Sequence, residues 1–280
     1  MYLPIIGSFL EATGTILDKR NMQSKGINYK NYTLFWFLAA VIVMLPFIYF
    51  FWRIDLSSLL EWKNLSVFVG IILLAILANL SLNFALKRED LTEMEPIRVL
   101  FPFFTILFAF LIYPDERNWT IVILGLIAAA ALVFAHVKKH HFSFNKYMIA
   151  TLLSNVFFAL ELTMSKYLLP IFSPLTFYFL RCFFVLLIIF PIFKSDFRKI
   201  DNKLKVMIFL SGLIWVVYRI ILYFGYEIYG IILTTTLFIL TPVLIMLYAV
   251  VFKKEKMNWK QVLSTIIILA CVIGAIVLSA

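Results

Sequence analysis

Charged and hydrogen-bonding side chains lie inside several of the long apolar runs of this sequence. A charge deep in hydrocarbon is costly, so such a residue normally faces a cavity or a partner. A carboxylate there can bind a cationic group, and a guanidinium group can hold a carboxylate with two parallel hydrogen bonds. The candidate substrate-binding residues are Glu11, Asn79, Glu95, Arg98, Glu161, Arg181, Trp215, Tyr218 and Arg219.

Two of these carboxylates are also candidates for proton coupling. Glu11 and Glu161 each lie within an apolar run, and a carboxylate in a partly dry cavity is suited to binding and releasing a proton. An alternative for Glu161 is that it serves as the partner of Arg181 or Arg219. Glu95 and Arg98 are three residues apart on one helix face, so their pairing could be purely structural.

A stripe of aromatic residues surrounds one of the arginines. Trp215, Tyr218, Arg219, Leu222 and Tyr226 recur at a spacing of three or four residues, which places them on one side of a helix. Such rings could line the entrance to a binding site around the guanidinium group. Aromatic residues at this spacing more often pack against neighbouring helices.

The composition requires a lipid environment. Of the 280 residues, 64% are hydrophobic and 14% charged, whereas about a quarter of a soluble domain is charged. The net charge of +10 does not indicate nucleic-acid binding, because the Lys and Arg residues are spread over short loops between apolar runs. Cys182 and Cys271 lie inside such runs, and His136 and His140 flank a loop, so neither pair predicts a metal site.

Ten segments are apolar and long enough to span a bilayer, and the first is the weakest. We place them near residues 2–18, 33–52, 65–86, 92–113, 118–137, 146–169, 174–193, 204–226, 229–252 and 258–279. The sequence therefore predicts an all-α polytopic membrane protein in a single membrane domain.

The two halves of the chain are related by an offset of 140 residues. FALKREDLTEMEPIRVLFP at 84–102 falls on FGYEIYGIILTTTLFILTP at 224–242, so that Pro102 meets Pro242. The same offset places Asn79 on Arg219. We therefore predict two five-helix repeats, residues 1–140 and 141–280. An odd number of helices inverts the second repeat in the membrane, an architecture that favours alternating access around a central site.

These passages resemble the EamA-like ten-helix members of the drug/metabolite transporter superfamily. The resemblance is carried by residues 84–117, by TPVLIMLYAVVFKKEKMNW at 241–259 and by PLTFYFLRCFFVLLIIFP at 174–191. It departs from the family pattern at Glu93, Glu95 and Arg98, where the helix start is normally small and uncharged. The resemblance implies transport of a small solute without fixing which one.

We expect a secondary transporter in the cell membrane that exports an amino acid or a related zwitterion, because acids and arginines occur together. The alternatives are multidrug cation efflux and a membrane-embedded lipid-handling enzyme. No HExxH, GxSxG or Walker motif is present, so we predict no enzyme, no catalytic residue, no cofactor and no metal.

Small residues in segments five and ten predict close helix packing and a possible homo-oligomer through these segments. They are Gly125, Ala128, Ala129, Ala130, Ala131, Ala270, Gly274 and Ala275.

The orientation stays open at this stage. Most of the 25 Lys and Arg residues lie in loops one, three, five, seven and nine. The positive-inside rule then puts both termini outside, whereas members of the family that the chain resembles are generally drawn with both termini in the cytoplasm.

Overall fold

The protein is a bundle of ten helices, seen in a computed structural model that describes residues 2–24, 27–89, 94, 97–136, 145–193, 200–244 and 258–279. A single turn at Leu56–Leu59 and 3-10 turns at Pro114–Glu116 and Leu169–Ile171 join some of them. The helices are α1 (Tyr2–Gln23), α2 (Tyr29–Phe51), α3 (Trp62–Arg88), α4 (Phe101–Ile112), α5 (Trp119–His136), α6 (Lys146–Leu168), α7 (Pro174–Phe193), α8 (Asn202–Tyr229), α9 (Ile231–Phe238) and α10 (Trp259–Ser279).

The predicted fold class is confirmed. Helices α2, α3, α6, α7, α8 and α10 are each long and apolar enough to cross a membrane, while α4, α5 and α9 are shorter apolar helices. Helix α1 has sufficient length but is less apolar, since Glu11, Asp18 and Lys19 lie within it. The chain is therefore a multi-pass integral membrane protein.

Helix pairing reveals the two repeats. The third helix of each half packs against the first helix of the other half: α3 against α6, and α8 against α1. The second, fourth and fifth helices of each half pack against their counterparts in the other half: α2 against α7, α4 against α9 and α5 against α10. Five helices per half place the second half in the opposite orientation, as an inverted repeat requires.

The fourth and ninth helices are both interrupted at the same point of the repeat. The regular α-helix gives way to a turn at Val99 and Leu100 in one half and at Ile239 in the other, although Leu100 and Ile239 keep right-handed helical dihedral angles. Each interruption lies three residues before a proline, Pro102 or Pro242. Proline lacks an amide hydrogen and its ring crowds the carbonyl four residues earlier, so a helix bends or breaks there. Paired interruptions of this kind frame binding sites in inverted-repeat transporters.

The bundle has two distinct ends. We call the end at which α1 begins and α10 ends the terminal face, and the opposite end, where Lys19, Lys87 and Lys146 lie, the basic face. On the terminal face the α2–α3 and α6–α7 loops join through a hydrogen bond from the Asp55 amide to the Ile171 carbonyl of 2.9 Å. Arg53 Nη2 also donates to the Phe172 carbonyl at 3.1 Å.

A carboxylate bridges the two halves at the terminal face. Glu116 follows α4, and its two oxygens accept the amides of Ile231 and Ile232 at the start of α9, each at 2.9 Å. The same carboxylate pairs with Lys166 at the end of α6. Gly230 has φ 79°, and a Cβ there would lie 3.0 Å from the Glu116 carboxyl carbon. Glycine is therefore required both by the left-handed backbone and by the close approach.

Lysines at the basic face cap neighbouring helices reciprocally. Lys19 Nζ of α1 donates to the carbonyls of Leu86 and Glu89 at the end of α3. In return, Lys87 Nζ of α3 donates to the Met22 carbonyl at 2.8 Å. Cations at helix C-termini satisfy free carbonyls and complement the helix dipole, so part of the basic loop charge is structural.

Several of the small residues of α5 and α10 pack within the chain, whereas Ala130 and Ala270 are exposed. A Cβ at Gly125 would lie 2.7 Å from the Thr236 hydroxyl and 2.8 Å from Ile106, and one at Gly274 would touch Leu124. These residues let α5 approach α9 and α10 closely. A homo-oligomer through the same helices stays a prediction.

The orientation leads to our first prediction. The positive-inside rule places the basic face in the cytoplasm. A membrane-impermeant maleimide applied to intact cells should therefore label Ser57→Cys, in an exposed terminal-face loop, but not Lys203→Cys at the exposed start of α8. The native Cys182 and Cys271 are buried and give the background. Labelling of Lys203→Cys alone would establish the reverse orientation.

Candidate functional site

A central cavity lies between the two halves. Its volume is about 1290 Å³ when the space at its opening is included. Helices α1 to α9 all contribute to its wall. The turn before α4 and the turn after α9 both belong to that wall. The wall residues at these turns are Val99, Pro102, Phe238 and Pro242. Backbone irregularities in a membrane protein are tolerated where they line such a cavity.

The cavity brings together most of the residues that the sequence predicts. Glu161 is absent from the wall, because it lies behind two of the lining residues, and Glu95 lies outside the described residues. The predicted residues that line the cavity are Glu11, Asn79, Arg98, Arg181, Trp215, Tyr218 and Arg219.

Two arginines share one carboxylate at one side of the cavity. Arg181 Nε lies 2.8 Å from Glu161 Oε1, and Arg219 Nη1 lies 3.6 Å from Glu161 Oε2. Arg181 is 1% exposed, Arg219 7% and Glu161 0%, so these three side chains together carry a net charge of +1 in the interior, and Arg219 also interacts electrostatically with Glu11. The pairing agrees with the alternative in which Glu161 is the partner of the arginines.

The arginines of this cluster keep hydrogen-bonding capacity to spare. Arg181 Nε is near the carboxylate but lacks hydrogen-bond alignment, and Arg181 Nη2 and Arg219 Nη1 have no acceptor among the described residues. Buried guanidinium hydrogens without acceptors are unfavourable. These nitrogens are buried, and Glu161 Oε2, which also lacks a hydrogen-bond partner among the described residues, lies 3.6 Å from Arg219 Nη1.

Two carboxylates of α1 occupy another part of the wall. Glu11 accepts a hydrogen bond from the Thr241 hydroxyl at 2.8 Å. Asp18 accepts from the Tyr32 hydroxyl at 2.6 Å, from Trp215 Nε1 at 2.9 Å and from the Ser211 hydroxyl. These hydrogen-bond donors are all neutral, and the cationic groups that interact electrostatically with the acids are Arg98, with both of them, and Arg219, with Glu11.

Asp18 is a cavity residue that the sequence pattern did not single out. It follows Glu11 by seven residues, which is about two helical turns and about 10 Å along α1, on the same face. That spacing of two acids in a spanning segment is the signal that could have revealed it. Its donors Tyr32 and Trp215 come from both halves of the chain, and no local sequence pattern predicts that convergence.

Arg98 lies close to the two acids of α1. It interacts electrostatically with both Glu11 and Asp18, and its Nη2 is 3.4 Å from the Thr15 hydroxyl. The predicted pairing of Arg98 with Glu95 involves a residue outside the described ranges.

Aromatic rings connect the acidic and basic parts of the wall. The Trp215 ring lies 5.1 Å from Tyr218 and 6.5 Å from Trp36, and Tyr218 lies 5.4 Å from Phe238. The guanidinium carbon of Arg219 is 5.7 Å from the Phe158 ring centre. The stripe on α8 thus both packs and lines the cavity, so the two interpretations of its spacing are compatible.

The chain belongs to the EamA-like transporter family. The family model matches residues 1–136 and 145–278, one match for each half of the chain. Members of this family are transporters. No curated protein matches the chain.

A solved structure shares the fold. It is titled "Crystal structure of protein" and is 16% identical in sequence, with a TM-score of 0.72. The match covers 99% of this chain and 96% of that chain. At this level of identity the likeness concerns the fold alone.

The charge balance of the arginine cluster yields a second prediction. Glu161→Gln leaves two buried guanidinium groups without a counterion, whereas Arg181→Gln leaves Glu161 paired with Arg219. Loss of one partner from a buried ion pair costs about 3–5 kcal/mol, so Glu161→Gln should lower the apparent melting temperature in detergent clearly more than Arg181→Gln does. Equal shifts, or a larger one for Arg181→Gln, would contradict the net positive charge assigned to the cluster.

Proposed function

We propose that this protein is a secondary active transporter that carries a small zwitterionic metabolite, such as an amino acid, by alternating access around the central cavity. The observation that carries this proposal is the separation of charge in one cavity. Two carboxylates of α1 lie on one side with Arg98 near them, and the net positive cluster of Arg181, Arg219 and Glu161 lies on the other. A zwitterion carries the complementary pair of charges.

Each end of the substrate has a partner in this proposal. The substrate carboxylate would bind the free guanidinium hydrogens of Arg181 and Arg219, for which its planar oxygens have the right geometry. The substrate ammonium group would bind Glu11 or Asp18. The rings of Trp215 and Tyr218 would contact the apolar part between them.

Proton coupling is best assigned to the cavity wall. A coupling group must exchange protons with water in the cavity, and Glu11 lines it. Glu161 is fully buried behind Arg181 and Arg219, so we assign it to holding these two arginines. Asp18 joins Glu11 as a second candidate, because its neutral donors Tyr32 and Trp215 can adjust to a protonated carboxyl group.

The proposed direction is export. Asp18, Tyr32 and Asn83 place the cavity near the basic-face ends of their helices, and the loops of the terminal face are joined across the two halves. If the basic face is cytoplasmic, substrate enters from the cytoplasm. Release on the other side then requires the Glu116 bridge to open.

A specific observation also favours a second candidate, the efflux of lipophilic cations. Aromatic rings next to carboxylates are the usual surroundings of a bound organic cation, and Trp215 donates directly to Asp18. This function would need the acids and the rings but not the arginines.

Flux into proteoliposomes distinguishes these functions and gives our third prediction. The probes are a mixture of labelled amino acids and, separately, ethidium, and the variants are Asp18→Asn, Arg219→Gln and the control Asp115→Asn in an exposed loop. If the substrate is a zwitterion, Asp18→Asn and Arg219→Gln should each lower amino-acid flux at least about tenfold. Each variant removes a hydrogen bond between charged groups, which is worth about 1.5–3 kcal/mol. Asp115→Asn should leave it unchanged.

The other outcomes count against the zwitterion. Ethidium flux that falls in Asp18→Asn but not in Arg219→Gln would identify a cation exporter instead. If the purified wild-type protein moves neither probe, transport of either solute class is contradicted.

A further inference from the structure

A second cleft lies outside the central cavity, at the basic face. It is formed by the starts of α2 and α6 and the ends of α3 and α7. Its volume is about 620 Å³ when the space at its opening is included. Helices α2 and α3 come from the first half and α6 and α7 from the second. The cleft therefore spans the junction between the halves at the level where the helices leave the membrane.

The outer part of the cleft presents two ammonium groups. Lys30 and Lys146 line it and are both exposed. Lys30 Nζ lies 5.7 Å from the Phe193 ring centre, and Lys146 Nζ lies 5.2 Å from that of Tyr147. Rings at these positions hold the ammonium groups at the membrane interface, where long cationic side chains and aromatic residues reside together.

These two charges are not neutralised by a carboxylate among the described residues. The acid near them is Glu89, whose Oε1 accepts the Asn145 side-chain amide at 2.7 Å. Neither Lys30 nor Lys146 forms an ion pair within the described ranges. Within the part of the chain that the structure describes, the two cations thus have no carboxylate counterion, and such a pair of charges attracts an anion.

The inner part of the cleft is apolar and open to the bilayer. Ile149 and Leu153 lie one turn apart on α6, they are 47% and 44% exposed, and both line the cleft. Because α6 enters the membrane from the basic face, these side chains follow the lysines inward. A surface of this kind accommodates an acyl chain rather than water.

We propose that this cleft binds an anionic phospholipid of the leaflet at the basic face. Its phosphate lies between Lys30 and Lys146, and one acyl chain lies along Ile149 and Leu153. Basic pockets between spanning helices on the cytoplasmic side are suited to anionic headgroups, and the positive-inside rule makes the basic face cytoplasmic. The apolar continuation excludes free phosphate as the preferred ligand. The bound lipid stabilises the contact between the two halves, whatever solute the central cavity carries.

Thermal unfolding of the purified full-length protein in detergent tests this site. The probes are added phosphatidylglycerol, phosphatidylcholine and inorganic phosphate, and the variants are Lys30→Gln/Lys146→Gln and the control Lys260→Gln. Lys260 lies at the same face, with Nζ 5.2 Å from the Phe134 ring centre, but outside the cleft. The control thus loses an interfacial charge of the same kind.

We expect phosphatidylglycerol to raise the melting temperature of the wild type and of Lys260→Gln by about 5 °C, the shift that a ligand near a hundred times its Kd gives a chain of this size. The double variant should lose this shift, and phosphatidylcholine and phosphate should not reproduce it. An equal shift in the double variant, or an equal loss in Lys260→Gln, would overturn the site in favour of general charge attraction. An equal effect of phosphate would overturn the lipid.

Discussion

Every ionisable group in the interior of this bundle must be compensated by the protein, because the bilayer offers neither water nor counterions. Glu161 meets this requirement by lying between Arg181 and Arg219, and its burial fixes how α6, α7 and α8 approach one another. The cluster of three has a net charge of +1, and Glu11 interacts electrostatically with Arg219 from the cavity wall. In the proposed function, this excess charge is what binds the substrate carboxylate.

The inverted repeat supplies the frame, and the differences between the halves supply the chemistry. Both halves interrupt a helix three residues before a proline, so backbone irregularity is symmetric about the cavity. The charges are not symmetric: the first half contributes Glu11, Asp18 and Arg98, and the second contributes Arg181, Arg219 and Glu161. A symmetric frame can alternate between two states of similar energy, and in the proposed function the asymmetric charges select the solute.

The sequence predicts the membrane class, the ten segments and the repeat. The apolar length of each segment and the match between stretches 140 residues apart can both be read along the chain without knowing how the helices pack. The offset also pairs Asn79 with Arg219, and both residues line the cavity. The sequence alone could not predict that Asp18 accepts hydrogen bonds from Tyr32 and Trp215. Nor could it predict that Glu161 lies behind the arginines instead of in the cavity wall. Those outcomes depend on which faces of distant helices meet, and helices that are apolar on nearly every side do not specify those faces.

Alternating access is the central claim, and it requires the terminal face to open. Ile54 and Phe172 pair as an isolated antiparallel bridge between the halves at that face, a geometry that suits a disulfide. The measurement is solute flux through Ile54→Cys/Phe172→Cys in proteoliposomes, with cross-linking followed by gel mobility. We predict flux in the reduced protein, its loss on oxidation and its return on reduction. Full flux through the cross-linked protein would contradict alternating access by way of the terminal face.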